Sequence, residues 1–204
     1  MGRPSAREKL LDSAEQLFAE HGLEGASLRA INAAAGLSPA ALHYHFGTQQ
    51  ALVEALLERR MPALMERRRR LLDALEGRTP PATTREVLGA LIRPLVELMA
   101  EGGESGLGYL RLLHRLQADG DLDPRFVIDR WPGGVDRLVP LLRAANPTLS
   151  LALVQFRLGL AIDLMLRNLA HGSAPDGADL EAQEGALLDF LTGAFGAPVT
   201  GEPT

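Results

Sequence analysis

The sequence predicts an all-α protein, with a three-helix unit at the N-terminus and a larger helical bundle behind it. Three observations predict this. Apolar residues recur at three- and four-residue spacing over most of the chain. Glycine and proline fall between those periodic segments, where helices start and stop. No alternating apolar–polar run of useful length offers a strand.

Leu10, Ala14, Leu17, Phe18 and His21 share one face of a first helix, which Gly22 stops where a left-handed cap is wanted. Ser27 caps a short second helix with Leu28, Ile31 and Ala35 inward, and Gly36 ends it. Ser38-Pro39 reads as a cap followed by proline at the first helical position, where its missing N–H costs nothing. This third helix runs to about Phe46, with Leu42 and Phe46 inward. Gly47-Thr48 is the next stop and cap, and a long fourth helix follows with Leu52, Leu56 and Ala63 as its stripe and Pro62 as a kink. Gly77–Pro81 marks a boundary. Thr83 and Glu86 have capping-box spacing and open a helix to about Ala100. Gly102-Gly103 breaks it, a helix covers about 104–118, and Asp119–Pro124 is a loop. Residues 125–145 are helical with an interruption at Trp131-Pro132-Gly133-Gly134. Residues 148–170 form the most hydrophobic helix and 178–195 the last, with a disordered tail from Pro198. The breaks divide the chain into 1–50, a connecting helix 51–76, a second unit 77–197 and the tail 198–204.

Apolar residues make up 46% of the 204, enough for a sizeable core, yet no stretch approaches the ~18 uninterrupted apolar residues of a membrane span. Asp12 and Glu15 interrupt any apolar segment near the start, so no signal peptide is read there. There is no cysteine, which removes disulfides and thiolate chemistry and fits a reducing compartment, so a cytoplasmic location is expected. The net charge of −5 is unevenly spread: residues 1–70 carry ten Lys and Arg against eight Asp and Glu, and the remainder is acidic. A mildly basic end on an acidic chain permits nucleic-acid binding at that end. No Gly-rich phosphate loop, His-Glu-x-x-His or nucleophile setting is present, so neither an enzyme nor a cofactor is expected. His43 and His45, two apart on a helix, point to different faces, and no metal site is expected.

The informative unit is residues 27–46: two short helices joined by a turn at Gly36-Leu37, a helix-turn-helix. Its second helix suits a DNA major groove, about 12 Å wide. With Leu42 and Phe46 inward, Ser38, Ala40, Ala41, His43, Tyr44 and His45 lie on exposed turns. Small residues let the backbone approach base edges, and His and Tyr can bond bases or phosphates. The helix starts at Ser27, Ser38 and Thr48 offer free N–H groups to phosphate.

Arg7–Phe18 followed by Gly22, Ser27, Ile31, Ala35-Gly36-Leu37-Ser38, Leu42, His45-Phe46 and Ala51-Leu52 resembles the N-terminal domain of the TetR family of repressors, over about residues 7–60. The rest resembles that family in being all-helical and of suitable length. The resemblance implies a DNA-binding domain ahead of a ligand-binding and dimerisation domain. It implies a ligand-released repressor, homodimeric on a palindromic double-stranded operator, with a small-molecule effector. It places Ser27 on phosphate, Arg29 near DNA, Ser38, Ala40 and Ala41 at the base-facing start of the recognition helix, His43, Tyr44 and His45 along the groove, and Thr48 against phosphate. Four positions depart from the family pattern: His43 where tyrosine is usual, Gln49 where a phosphate-contacting lysine is usual, Ala40 where glycine is common, and Asn32 where alanine follows the isoleucine. One lost phosphate contact lowers the salt slope by about 0.9, and Arg3 in the N-terminal arm could supply another. An alternative reading is a helical ligand-binding protein whose DNA-binding face has decayed.

For the second unit, a mostly apolar pocket between helices is expected, with Met99, Tyr109, Arg111, His114, Trp131, Phe156 and Arg157 as candidate lining residues. A dimer interface formed by the last two helices, as a four-helix bundle from two chains, is expected to use Gly159, Ala161, Leu188 and Leu191. Arg59, Arg60 and the run Arg67–Arg70 spread around their helix and read as a solvated face. Asp163 and Arg167 read as an intrahelical ion pair.

Overall fold

The structure is a computed structural model that describes residues 4–120, 127, 129–132, 134–172 and 179–199. Among them it forms eight helices: α1 (Ala6–Gly25), α2 (Leu28–Ala34), α3 (Ala41–Phe46), α4 (Gln49–Asp73), α5 (Thr84–Ala118), α6 (Leu138–Ala145), α7 (Leu151–His171) and α8 (Leu180–Gly196). None of these is long and apolar enough to cross a membrane.

Local chemistry sets most of the starts. Each helix has N–H groups at its first turn without an intrahelical partner, and side-chain oxygens supply one. Ser27 accepts from Ala30 N, Thr48 from Ala51 N, Ser150 from Leu153 N and Asp179 from Ala182 N. Thr83 with Glu86 closes the expected capping box, and Ser5 with Glu8 closes another at the start of α1. Gly22 (φ 74°) and Gly103 (φ 53°) are the non-helical points inside α1 and α5, a backbone region that costs glycine little.

The third helix begins later than Ser38-Pro39 predicts. The Ser38 carbonyl accepts from Ala41 N in a tight turn, and Ala40 is the N-cap without any side-chain bond. The reason lies across the turn. Asn32, buried on α2, donates through Nδ2 to the carbonyls of Leu28 (3.0 Å) and Pro39 (3.1 Å), and its Oδ1 accepts from Leu42 N (3.0 Å). A side chain from the preceding helix therefore caps α3.

One continuous apolar core runs from Leu10 to Phe195. Helix α5 is its axis, packing against α1, α4, α6, α7 and α8. Because α1 rests on α5, the three-helix unit is docked on the larger bundle. The stripe of α4 is Leu52, Leu56, Leu57, Met61, Leu64, Met65 and Arg68, not the predicted line through Ala63, which is exposed. The buried face rotates as α4 passes from the N-terminal helices onto α5. His21 is likewise exposed, beside Glu20.

Trp131 closes a helical turn by donating its N–H to Val127 O, and α6 starts only at Leu138, so the predicted helix over 125–145 is two pieces. Most of the predicted loop at Asp119–Pro124, Gly133, the tail residues 200–204 and Arg3 lie outside the described residues.

The arginine run is a solvated, ion-paired face except at Arg68. Arg67 pairs with Glu101 (2.6 Å) and Glu97, Arg69 with Glu66 and Asp73, and Arg70 with Glu66. Arg68 is 3% exposed. Consecutive residues sit about 100° apart on a helix, so one of four must point into the bundle. Asp163 accepts from Gln117 Nε2 (3.1 Å) on α5, where a bond within α7 was predicted.

Candidate nucleic-acid interface and internal cavity

Ile31, Ala35 and Leu42 bury the inner faces of α2 and α3. Gly36 (φ 65°) makes the turn between them, and Leu37 N closes it onto Asn32 O. The outer side carries the predicted residues together: Ser27, Arg29, Ser38, Ala40, His43, Tyr44 and Thr48 are exposed, and Ala41 and His45 are half-buried. Tyr44 is 85% exposed, although burying an aromatic ring of this size is normally favourable. Its ring stands edge-on to His45, centroids 5.2 Å apart. His43 Nδ1 lies 2.9 Å from the Gly47 carbonyl, which fixes its ring at the end of α3. Arg7 reaches over Phe46, 5.2 Å from the ring centroid, and brings a cation to the same end. Gln49 does not face outward like a phosphate ligand: its Nε2 donates to Leu23 O (2.7 Å) and ties the end of α1 to the start of α4.

The two units meet at a polar seam that sequence reasoning missed. Glu15 on α1 is buried between Arg59 and Arg60 of α4, each 3.6 Å away, and Ser105 of α5. Burial pushes the Glu15 carboxyl up despite both arginines. Arg59 also pairs with Asp12 (2.7 Å), and Arg60 donates to Ser105 Oγ (2.5 Å). Tyr109 is fully buried here, donating to Leu57 O (3.3 Å).

Between α4, α5, α6 and α7 lies a cavity of about 310 Å³. Its walls are mainly apolar: Met61, Leu64 and Met65 from α4, Leu91, Leu95 and Leu113 from α5, Val139 from α6, and Leu158, Ile162 and Met165 from α7. Arg68, Gln117, Asp136 and Gln155 are its polar members. None of the seven predicted lining residues is among them. Tyr109 belongs to the seam, and Met99 packs against the core. Arg111 donates to Ala170 O, and His114 meets His171 edge-to-face with their ring nitrogens 3.2 Å apart. Trp131 is buried, and Phe156 is 63% exposed on the outer face of α7. Arg157 holds the end of α8 by donating to Phe195 O and Ala197 O. The readable signal was register on α4: Met61, Leu64, Met65 and Arg68 fall at i, i+3, i+4 and i+7, one face.

The predicted dimer residues separate as well. Ala161, Leu188 and Leu191 are buried within the protomer. Gly159 is exposed and also borders the cavity. Away from Tyr44, the large apolar side chains left on the surface among the described residues are Leu151, Phe156, Leu160 and Leu164 of α7, Phe190 of α8, and Val199 beyond it; Phe156, Leu160 and Leu164 lie one turn apart.

Residues 10–56 match the family model described as bacterial regulatory proteins, tetR family, and residues 89–194 match the tetracyclin repressor-like C-terminal domain. The HTH-type transcriptional regulator UidR of Escherichia coli K12 is 30% identical over 103 residues, 47% of this chain and 51% of that protein. The chain thus spans about half the length of the curated relatives it matches first. Among solved structures, the ketosteroid transcriptional regulator KstR2 of Mycobacterium tuberculosis superposes with a TM-score of 0.64 at 24% identity, over 95% of this chain and 96% of that one. A TetR-like regulator from Rhodococcus sp. RHA1 does so at 0.60 and 18%, over 97% and 100%. Both show the same fold.

Proposed function

This chain belongs to the tetR family of bacterial regulatory proteins, and from that premise we propose that it is a cytoplasmic, ligand-released transcriptional repressor. Residues 1–50 bind operator DNA, 51–76 connect, and 77–197 sense the effector and dimerise. The observation that carries this reading is the outer face of α2 and α3: Tyr44 is 85% exposed, with Ala40, His43 and Arg29 also exposed on a rigidly capped turn.

Ala40 and Ala41 let α3 approach base edges, His43, Tyr44 and His45 bond bases or phosphates, and Ser27, Arg29, Ser38 and Thr48 take the backbone. Two copies joined through Phe156, Leu160, Leu164 and Phe190 present two such helices to successive major grooves, about 34–36 Å apart, so the operator is a palindrome. A monomer by light scattering at working concentration would refute that arrangement. Helix α4 starts beside α3 at Thr48 and lines the cavity from Met61 to Arg68, so an effector there shifts the recognition helix through one rigid element. The coupling is reciprocal: operator weakens effector binding by the same factor.

The test is binding of the purified protein to DNA immediately upstream of its own gene, with footprinting across a salt series. The expected result is a protected site of two-fold symmetry whose log affinity falls linearly with log salt. Only sequence-indifferent binding, there and across a genomic library, would contradict it.

A further inference from the structure

Within the arginine run, Arg67, Arg69 and Arg70 each have carboxylate partners, and Arg68 has none among the described residues. Its guanidinium is buried in the cavity wall, and the two contacts it makes are to neutral groups: Nη2 donates to Leu91 O (3.0 Å) and Nη1 lies 3.6 Å from the Met65 sulfur. The Nε–H is buried with no acceptor. No carboxylate among the described residues perturbs it; burial alone lowers its pKa, to about 10, which leaves it cationic at neutral pH. An unpaired buried charge is costly, and proteins ordinarily neutralise or pair it. The cost is relieved if an anion arrives from outside the chain.

The rest of the wall defines what carries that anion. Leu91, Leu95, Leu158, Ile162 and Met165 present hydrocarbon, the acidic lining residue Asp136 does not perturb Arg68, and the volume of about 310 Å³ is small. At about 30 Å³ per heavy atom, the share a water takes in the liquid, it holds on the order of ten heavy atoms.

We propose that this cavity is a binding site for a small aliphatic monocarboxylate, whose head group is anchored by Arg68 and whose tail lies against α5 and α7. One carboxylate balances one guanidinium, and the donors now without an anionic acceptor form charge-assisted hydrogen bonds to it. As the effector of the repressor the carboxylate rests on the function proposed above, but its binding does not.

Calorimetry on the full chain with octanoate, 1-octanol and octylammonium tests this, using the wild type and Arg68→Met. The wild type binds octanoate at least about tenfold more tightly than octanol and does not take up octylammonium. In Arg68→Met the preference for octanoate falls to about one while octanol still binds, which shows that the cavity survives. Octanol binding as tightly as octanoate in the wild type, no measurable octanoate binding, or a preference that persists in Arg68→Met would overturn the proposal. The wild-type comparison stands even if the variant fails to fold. Operator affinity measured on the same sample separates the two readings. Intact DNA binding without octanoate preference refutes the anchor alone. Octanoate preference with DNA affinity unmoved refutes the effector role alone.

Discussion

Replacing Asn32 with alanine should destabilise the N-terminal unit more than any other single polar change in it. The side chain makes three bonds that join α2, the turn and α3. Truncation leaves Leu42 N–H, in the buried first turn of α3, without its acceptor. A buried donor left unmet costs about 1–3 kcal/mol, and the two carbonyls that lose Nδ2 add about 0.5–1 kcal/mol each. The sum is about 2–5 kcal/mol. Because the core is continuous from Leu10 to Phe195, the loss should appear in global melting; at roughly 2–4 °C per kcal/mol for a chain of this size, Tm falls by roughly 4–20 °C. Thermal unfolding by circular dichroism reads the total, and amide exchange at Leu42 reads the local loss. Asn32→Asp separates the parts: it keeps an acceptor for Leu42 N–H but turns a carboxylate toward the Leu28 and Pro39 carbonyls, and is expected to be no better than alanine. A Tm within about 1 °C of wild type, with Leu42 exchange unchanged, would refute the claim that Asn32 caps α3.

Gln49→Lys exchanges the bond to Leu23 O for a cation beside the Thr48 cap. It should cost about 1 kcal/mol of stability, and the longer side chain, freed of that inward bond, should reach phosphate and steepen the salt dependence of DNA binding by about 0.9; an unchanged slope would mean that a lysine here stays turned inward as Gln49 is. His114 and His171 form an edge-to-face pair; burial first, then His171, Arg115 and Arg167, hold the His114 imidazole below the ordinary 6.5 against the pull of Asp119, and burial first, then Arg111, Arg115 and Arg167, lower that of His171. The unfolded chain therefore takes up protons before the folded one, so stability present above pH 6.5 is lost as pH falls through 6.5 toward the lowered folded values. Melting temperature should drop between about pH 7.5 and 5.5, and glutamine at both positions should flatten that slope; an equally steep slope in the double variant would assign the dependence elsewhere.

What the sequence made legible was local. Ser27, Thr48, Thr83 and Glu86 cap helices through contacts three residues away, and Gly22 and Gly103 break them through their own φ, so spacing alone finds these points. The exposure of the outer residues of α2 and α3 was legible for the same reason, since both helices are short and their inner residues are few. Tertiary contacts were not legible. Asn32 governs where α3 begins from ten residues away. Arg68 is adjacent in sequence to three ion-paired arginines and differs only in rotation about α4. Pocket candidates chosen for aromatic or polar character, such as Tyr109 and Arg157, proved to be structural because such groups also satisfy seams and helix ends. Leu188 and Leu191 look available for a dimer until it is known which side of α8 meets α5.

The central claim is that the outer face of α3 reads DNA, and the most direct test is operator affinity of the Tyr44→Ala, His45→Ala double variant by fluorescence anisotropy. Tyr44 is exposed and His45 half-buried, so the fold should tolerate the change, which circular dichroism checks. At about 1–3 kcal/mol for a good base contact, specific affinity should fall at least tenfold while non-specific binding changes little. Undiminished affinity for the same operator would contradict the account.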